Sequence, residues 1–132
     1  MNLRRASQHV TRWGLGAFMT VAGLAHLWWA RDEFHAQVPD WVPLDPDLVV
    51  VSSGIVELAL GAVLVAVPAR RKELAIALAV FFVMVFPGNL NQYLEGIDAF
   101  GLDTDAKRLA RLFFQPPLIL AALWAGGVWD RE

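Results

Sequence analysis

The chain contains no cysteine among its 132 residues. A disulfide framework, a thiolate metal site and a thiol relay run by the chain itself are thereby excluded. Charge is scarce as well. Asp, Glu, Lys and Arg make up 18% of residues, against about 25% in soluble domains, while 57% are hydrophobic. The net charge of −2 offers no basic surface, so nucleic acid is not an expected partner. No Gly-rich phosphate loop, nucleophile elbow or triad spacing occurs, so no catalytic residue is assigned and catalysis by the chain alone is not expected. His9, His26 and His35 have no i, i+4 relation, and a lone His–Glu pair is not a specific ligand set, so no metal site is expected. The length suffices for one domain.

What the chain has instead is apolar length. Its mean hydropathy is +0.46, and it carries six Trp, a residue enriched at membrane interfaces. A spanning helix needs about 20 mainly apolar residues. Four windows qualify, at about 10–29, 48–67, 74–93 and 109–129. The fold class expected is therefore all-α, a transmembrane four-helix bundle within one membrane domain. The N-terminal arginines and the apolar stretch after them have the outline of a signal peptide. That stretch ends in Leu27-Trp28-Trp29-Ala30-Arg31, too bulky for a cleavage site, so it is read as the first, uncleaved span. Pro87 lies inside the third window and should kink it, and Pro116-Pro117 lie in the fourth.

Basic residues orient the bundle. Arg4, Arg5, Arg12, Arg70, Arg71, Lys72 and Arg131 fall on one side, and Arg31, Lys107, Arg108 and Arg111 on the other. Cytoplasmic segments are the Lys- and Arg-rich ones, so both termini are expected in the cytoplasm. The first outer loop holds Phe34, Val38, Pro39, Trp41, Val42 and Pro43, and is too apolar to float in water. It is expected to lie over the bundle or against the headgroups. The second outer loop, 94–108, is acidic and reads as solvated.

A charged residue at mid-helix costs about 2.5–3.5 kcal/mol on the insertion scale, so polar side chains inside the windows stand out. Glu57 lies roughly 13 Å below the outer end of the second window, at 1.5 Å per residue. His26, Asn89, Asn91, Gln92, Arg111 and Gln115 lie within a turn or two of the outer ends of the other three. The inner halves read as almost purely apolar. If the outer polar groups face one another, they form an outward-opening pocket floored by Glu57. Otherwise they snorkel, or serve as interhelical glue. Glu57 itself either holds a proton or pairs with Arg111. Small residues suggest close packing at Ser53, Glu57 and Gly61 on one face, and at Ala121/Ala125 and Ala122/Gly126.

These residues carry a resemblance. Ala22-Gly-Leu-Ala-His26, the Phe34…Val38-Pro-Asp-Trp-Val-Pro43 segment, Ser53-Gly-Ile-Val-Glu57-Leu, Phe86-Pro-Gly-Asn89 and Arg111-Leu-Phe-Phe-Gln115 follow one another as do the motifs of DoxX-like membrane proteins. Gly88 stands where that family usually has Ala, and Phe113 where it usually has Pro. The resemblance implies a four-helix integral membrane protein of the bacterial plasma membrane. It also implies that His26, Glu57, Asn89, Arg111 and Gln115 form a shared polar core, expected here to bind a ligand. Some relatives are tied to thiosulfate–quinone oxidation or oxidative-stress complexes, and one assists receptor assembly.

Three functions are compatible with these residues. The first is a redox or stress accessory that binds a small amphipathic molecule such as a quinone. The second is an assembly partner for another membrane protein, or a homo-oligomer, joined through the small-residue face of the fourth helix. The third is a small transporter component gated by Glu57. All three place the chain in a lipid bilayer. The orientation is directly testable because the background lacks cysteine. Asp103→Cys should react with an impermeant maleimide on intact cells, whereas labelling only after lysis would invert the topology.

Overall fold

The computed structural model describes residues 2–130. Arg131, counted above on the inner side, lies outside them. Six α-helices carry the fold: α1 (Leu3–Leu27), α2 (Arg31–Phe34), α3 (Pro46–Ala66), α4 (Arg71–Leu94), α5 (Asp105–Leu112) and α6 (Gln115–Ala125). Short 3-10 turns at His35–Gln37 and Pro68–Arg70 link them, and no strand occurs among the described residues. The chain is thus all-helical, and two of its helical segments, Pro46–Ala66 and Pro68–Leu94, are long and apolar enough to cross a membrane. The two principal pairs are α1 with α3 and α4 with α6, and the pairs meet along α1·α6 and α3·α4.

Helix α1 starts where the Asn2 side chain accepts the Arg5 N–H at 2.8 Å, an N-cap that satisfies an otherwise orphaned donor. Its buried residues Gln8, Arg12, Leu15, Met19, Gly23 and His26 recur at intervals of four and three. Those of α3, Val50, Gly54, Glu57, Gly61 and Leu64, do the same. Such stripes form one continuous seam between antiparallel helices. Glycines set its depth. Gly23 faces Gly54 and Gly16 faces Gly61. A Cβ built on Gly23 would lie 2.9 Å from the Gly54 carbonyl oxygen, and one on Gly61 would lie 3.2 Å from that of Gly16. The two backbones touch, which only small residues permit. The expected Ser53–Glu57–Gly61 face is therefore replaced by Gly54–Glu57–Gly61, with Ser53 half-buried at its edge.

The end of the bundle where α1 begins, expected as the inner one, is not apolar as its sequence suggested. Gln8 and Arg12 are buried there. The cause is Pro68, which has no N–H to give the Leu64 carbonyl four residues before it. Arg12 Nη1 donates instead, at 3.0 Å to Leu64 O and 2.9 Å to Val65 O. Asp130 closes the same end, accepting from Arg4 at 2.6 Å and Gln8 at 2.9 Å, which holds its carboxyl below the usual range.

The fourth span also departs from expectation. A single helix over 109–129 gives way to α5 and α6, separated at Phe113-Phe114. Pro116 and Pro117 have no N–H for the Leu112 and Phe113 carbonyls, so the α ladder cannot pass them, yet both fit the first turn of α6. Pro87, in contrast, is carried inside a continuous α4. The small pair Ala122/Gly126 packs inward: a Cβ on Gly126 would lie 2.9 Å from the Arg71 carbonyl oxygen of α4. It is not a free lateral face.

Both outer loops are anchored. Pro39 is buried, while Trp41 remains 74% exposed at the rim, so the first loop covers the bundle through Val38 and Pro39 more than through its tryptophan. The second loop is tied down. Gln92 Nε2 donates to the Ile97 and Ala99 carbonyls, and buried Arg108 holds Asp98 and Asp105 at 2.8 Å each.

The glycine seam makes a contrast between two substitutions on one helix. Gly23→Ala should lower stability by about 1–3 kcal/mol, because its new methyl meets backbone that cannot yield. Gly14→Ala, with nothing within 4 Å, should stabilise α1 by about 0.5–1 kcal/mol. Thermal melts of the two variants in detergent check the signs.

Candidate functional site

At the end of the bundle where α1 finishes, one small cavity, of about 140 Å³, is lined by His26, Glu57, Asn89, Arg111 and Gln115 together. Five helices contribute, α1, α3, α4, α5 and α6, so the five residues that the resemblance groups into a polar core line one cavity. The remaining wall is apolar, with Met19, Phe81, Phe82, Val85 and Leu118 among its members.

His26 and Glu57 come together because the α1–α3 seam buries both. His26 Nδ1 lies 2.8 Å from the Ala22 carbonyl, which can only accept, so Nδ1 carries the hydrogen. Nε2 then faces Glu57 Oε1 at 3.4 Å. One proton between the pair would remove the clash of lone pairs, on the carboxyl opposite a neutral imidazole or on the imidazole opposite a carboxylate, and the dyad would then be neutral overall in both states. Glu57 Oε2 is buried and has no hydrogen-bond partner among the described residues. The expected alternative, an ion pair between Glu57 and Arg111, is not formed. Arg111 Nη1 donates to Gln115 Oε1 at 3.2 Å. Gln115 Nε2 in turn donates to the Phe82 carbonyl at 2.7 Å, in the turn of α4 that precedes Pro87.

Two contributors were not singled out as site residues. Gln37 donates to Asn89 Oδ1 and to Gln92 Oε1, both at 3.1 Å, and so roofs the cavity. Its backbone rests directly on Gly88, where any Cβ would collide with the Gln37 carbonyl. A glycine immediately after a helical proline was the available signal for that approach. Phe34 stacks on His26 with ring centroids 3.4 Å apart and planes at 17°. Asn91 and Gln92 are glue instead. They bond the Ala36 carbonyl and the second loop, and neither lines the cavity.

The pocket does not open straight outward as expected, because the turn around Gln37 closes it from above. Beside it runs a larger groove of about 570 Å³ between α3 and α4. Val56 and Leu60 of α3, Val80 and Met84 of α4, and Val38 and Trp41 of the loop line it. Val56, Val80 and Met84 are exposed, so the groove opens on the flank of the bundle. It shares His26, Phe34, Gln37, Phe81 and Val85 with the polar cavity. An apolar groove thus adjoins a few convergent polar groups, the usual composition of a small-molecule site. Among the described residues no three His, Asp or Glu side chains gather as metal ligands.

Residues 15–126 match a family described as a domain of unknown function, DUF8561. The chain belongs to that family. No curated protein and no solved structure matches it.

The dyad geometry separates two substitutions. Glu57→Gln should leave stability nearly unchanged, because the amide can donate to His26 Nε2 in the place of the shared proton. Glu57→Leu should cost about 1–3 kcal/mol by leaving that buried nitrogen without a partner. Melting temperatures of the two variants decide. Equal losses would mean that the dyad is not hydrogen-bonded.

Proposed function

We propose that this member of the DUF8561 family is a four-span membrane protein with cytoplasmic termini, which takes a small single-chain amphipath, such as an isoprenoid quinone, from the bilayer. The observation that carries the ligand reading is that the apolar flank groove and the polar cavity adjoin, with His26, Phe34, Gln37, Phe81 and Val85 as shared walls. A molecule with an apolar tail and a compact polar head would bury its tail between α3 and α4 and present its head to Glu57, Asn89, Arg111 and Gln115.

Several observations support membrane residence. Fewer than a third of the residues in the apolar stretch of α3 are buried, unlike the core helix of a soluble protein. The outer surface carries Val10, Trp13 and Val21 of α1, Ile55 of α3, Val80 and Met84 of α4, and Leu120 of α6, all more than half exposed. The interior holds Gln8, Arg12, His26, Glu57, Asn89, Gln92 and Gln115. Exposed apolar area on this scale needs a cover, and lipid supplies one. Because α1 lies antiparallel along α3 from Arg12 to His26, it would share the depth of α3; α6 likewise follows α4. Trp28 and Trp29 stand exposed at one end, and Arg4, Arg5, Arg70 and Lys72 at the other, as interfacial anchors and the positive-inside pattern would have them. The ordered resemblance to DoxX-like motifs supports the same reading.

The competing functions fare less well. The Ala122/Gly126 face that an assembly partner would use is covered by α4. The inner vestibule that a transporter would need is filled by Arg12 and the Asp130 cluster. Native mass spectrometry of the protein in mild detergent should show a retained single-chain amphipath. Val56→Trp, which fills the groove, should remove that adduct. Retention of the same adduct by the filled variant would overturn the assignment of the groove.

A further inference from the structure

The polar cavity carries an uncompensated charge. Three of the four basic side chains at the outer end have carboxylate partners: Arg31 with Asp47, Lys107 with Asp103 at 2.8 Å, and Arg108 with Asp98 and Asp105. Arg111, the fourth, has none within ion-pair distance among the described residues, and it is the one that lines the cavity. Its sole side-chain bond goes to a neutral amide oxygen of Gln115, so most of its five N–H donors are uncommitted. With one proton between them, His26 and Glu57 contribute no net charge. Gln37, Asn89 and Gln115 are neutral. The walls between them are Phe, Met, Val and Leu, which offer no compensation. A half-buried cation in such surroundings is costly unless an anion joins it.

Size adds a second demand. At about 30 Å³ per water, the cavity holds the equivalent of four to five waters, room for a small head group and its first methylenes. We infer that the cavity binds the head of a long-chain monocarboxylic acid as its carboxylate, with Arg111 as the counter-ion and the acyl chain in the groove between α3 and α4. This rests on the ligand reading proposed above and narrows it. A carboxylate offers the guanidinium a compensating charge and two acceptor oxygens. A quinone carbonyl can accept from Arg111 but brings no charge, and neither does an alcohol.

The test compares three probes on the purified full chain in mild detergent: hexadecanoic acid, hexadecan-1-ol and decylubiquinone, each titrated by isothermal calorimetry. The acid should bind at least about tenfold more tightly than the alcohol, a difference of about 1.4 kcal/mol. Arg111→Gln should bring the acid down to the affinity of the alcohol while leaving the alcohol unchanged, which also shows that the variant is folded. Arg111→Lys should keep part of the preference. Equal affinity for acid and alcohol in the unaltered protein overturns the inference without recourse to any variant. So does an undiminished acid preference in Arg111→Gln. Tighter binding of decylubiquinone than of the acid overturns it and leaves the groove as a ligand site. Failure of all three probes to bind overturns both readings.

Discussion

The contact on which the rest of this structure depends is the backbone-to-backbone approach of α1 and α3 at Gly16/Gly61 and Gly23/Gly54. Its register fixes three other things at once. It brings Arg12 to the C-terminal carbonyls of α3, seats Met19 in the core, and sets His26 against Glu57. A slip of one residue would turn Glu57 off the seam and leave Leu64 O without its donor. The polar site is therefore a consequence of how two helices pack, and no loop is needed to bring the dyad together. Glycine carries the register because backbones in contact tolerate no side chain between them.

Proline acts as the counterpart of glycine. Each helical proline withdraws a donor, and the fold answers each differently. Pro68 opens the Leu64 carbonyl, and a guanidinium from another helix fills it. Pro116 and Pro117 are absorbed by ending one helix and starting another, which leaves Arg111 in the last turn of α5 and Gln115 in the first turn of α6, on either side of the corner. Pro87 stays inside α4, where it withdraws the donor of the Val83 carbonyl; Gln115 bonds the carbonyl of Phe82, one residue earlier. Among the buried polar residues, Arg12 is the one that answers a backbone group opened by proline.

Much of the site was legible in the sequence, because depth along an apolar run is a local property. Glu57 nine residues into its window and His26, Asn89, Arg111 and Gln115 near the ends of theirs could be placed by counting, and they do line one cavity. What was not legible depends on distant partners. Arg12 reads as an interfacial residue until Pro68 is seen to need it. Gln37 sits in a loop with no periodicity, and its position over Asn89 follows from the missing side chain of Gly88, fifty-one residues away along the chain. The buried face of α3 was misjudged by one residue, Ser53 for Gly54, because a strict i, i+4 count drifts from a seam that alternates fours and threes. The break at Phe113-Phe114 was hidden because hydropathy averages over a window, and an interrupted apolar run scores like a continuous one.

The two ends of the bundle show why a site would exist at only one of them. Where α1 begins, the buried and half-buried guanidinium groups have partners: Arg12 meets the α3 carbonyls and Arg71 meets Asp130, which also takes Arg4 and Gln8. That end ties the first turn of α1 to Asp130, after α6. Neither end is fully satisfied among the described residues, since Gln8 Oε1 at one and Glu57 Oε2 at the other are buried without a partner. The difference lies in the cations. Arg111, which lines the polar cavity, has no carboxylate within ion-pair distance among the described residues and bonds only a neutral amide. A half-buried cation without an anion, next to an apolar groove, is the arrangement expected where its counter-ion arrives from outside the chain.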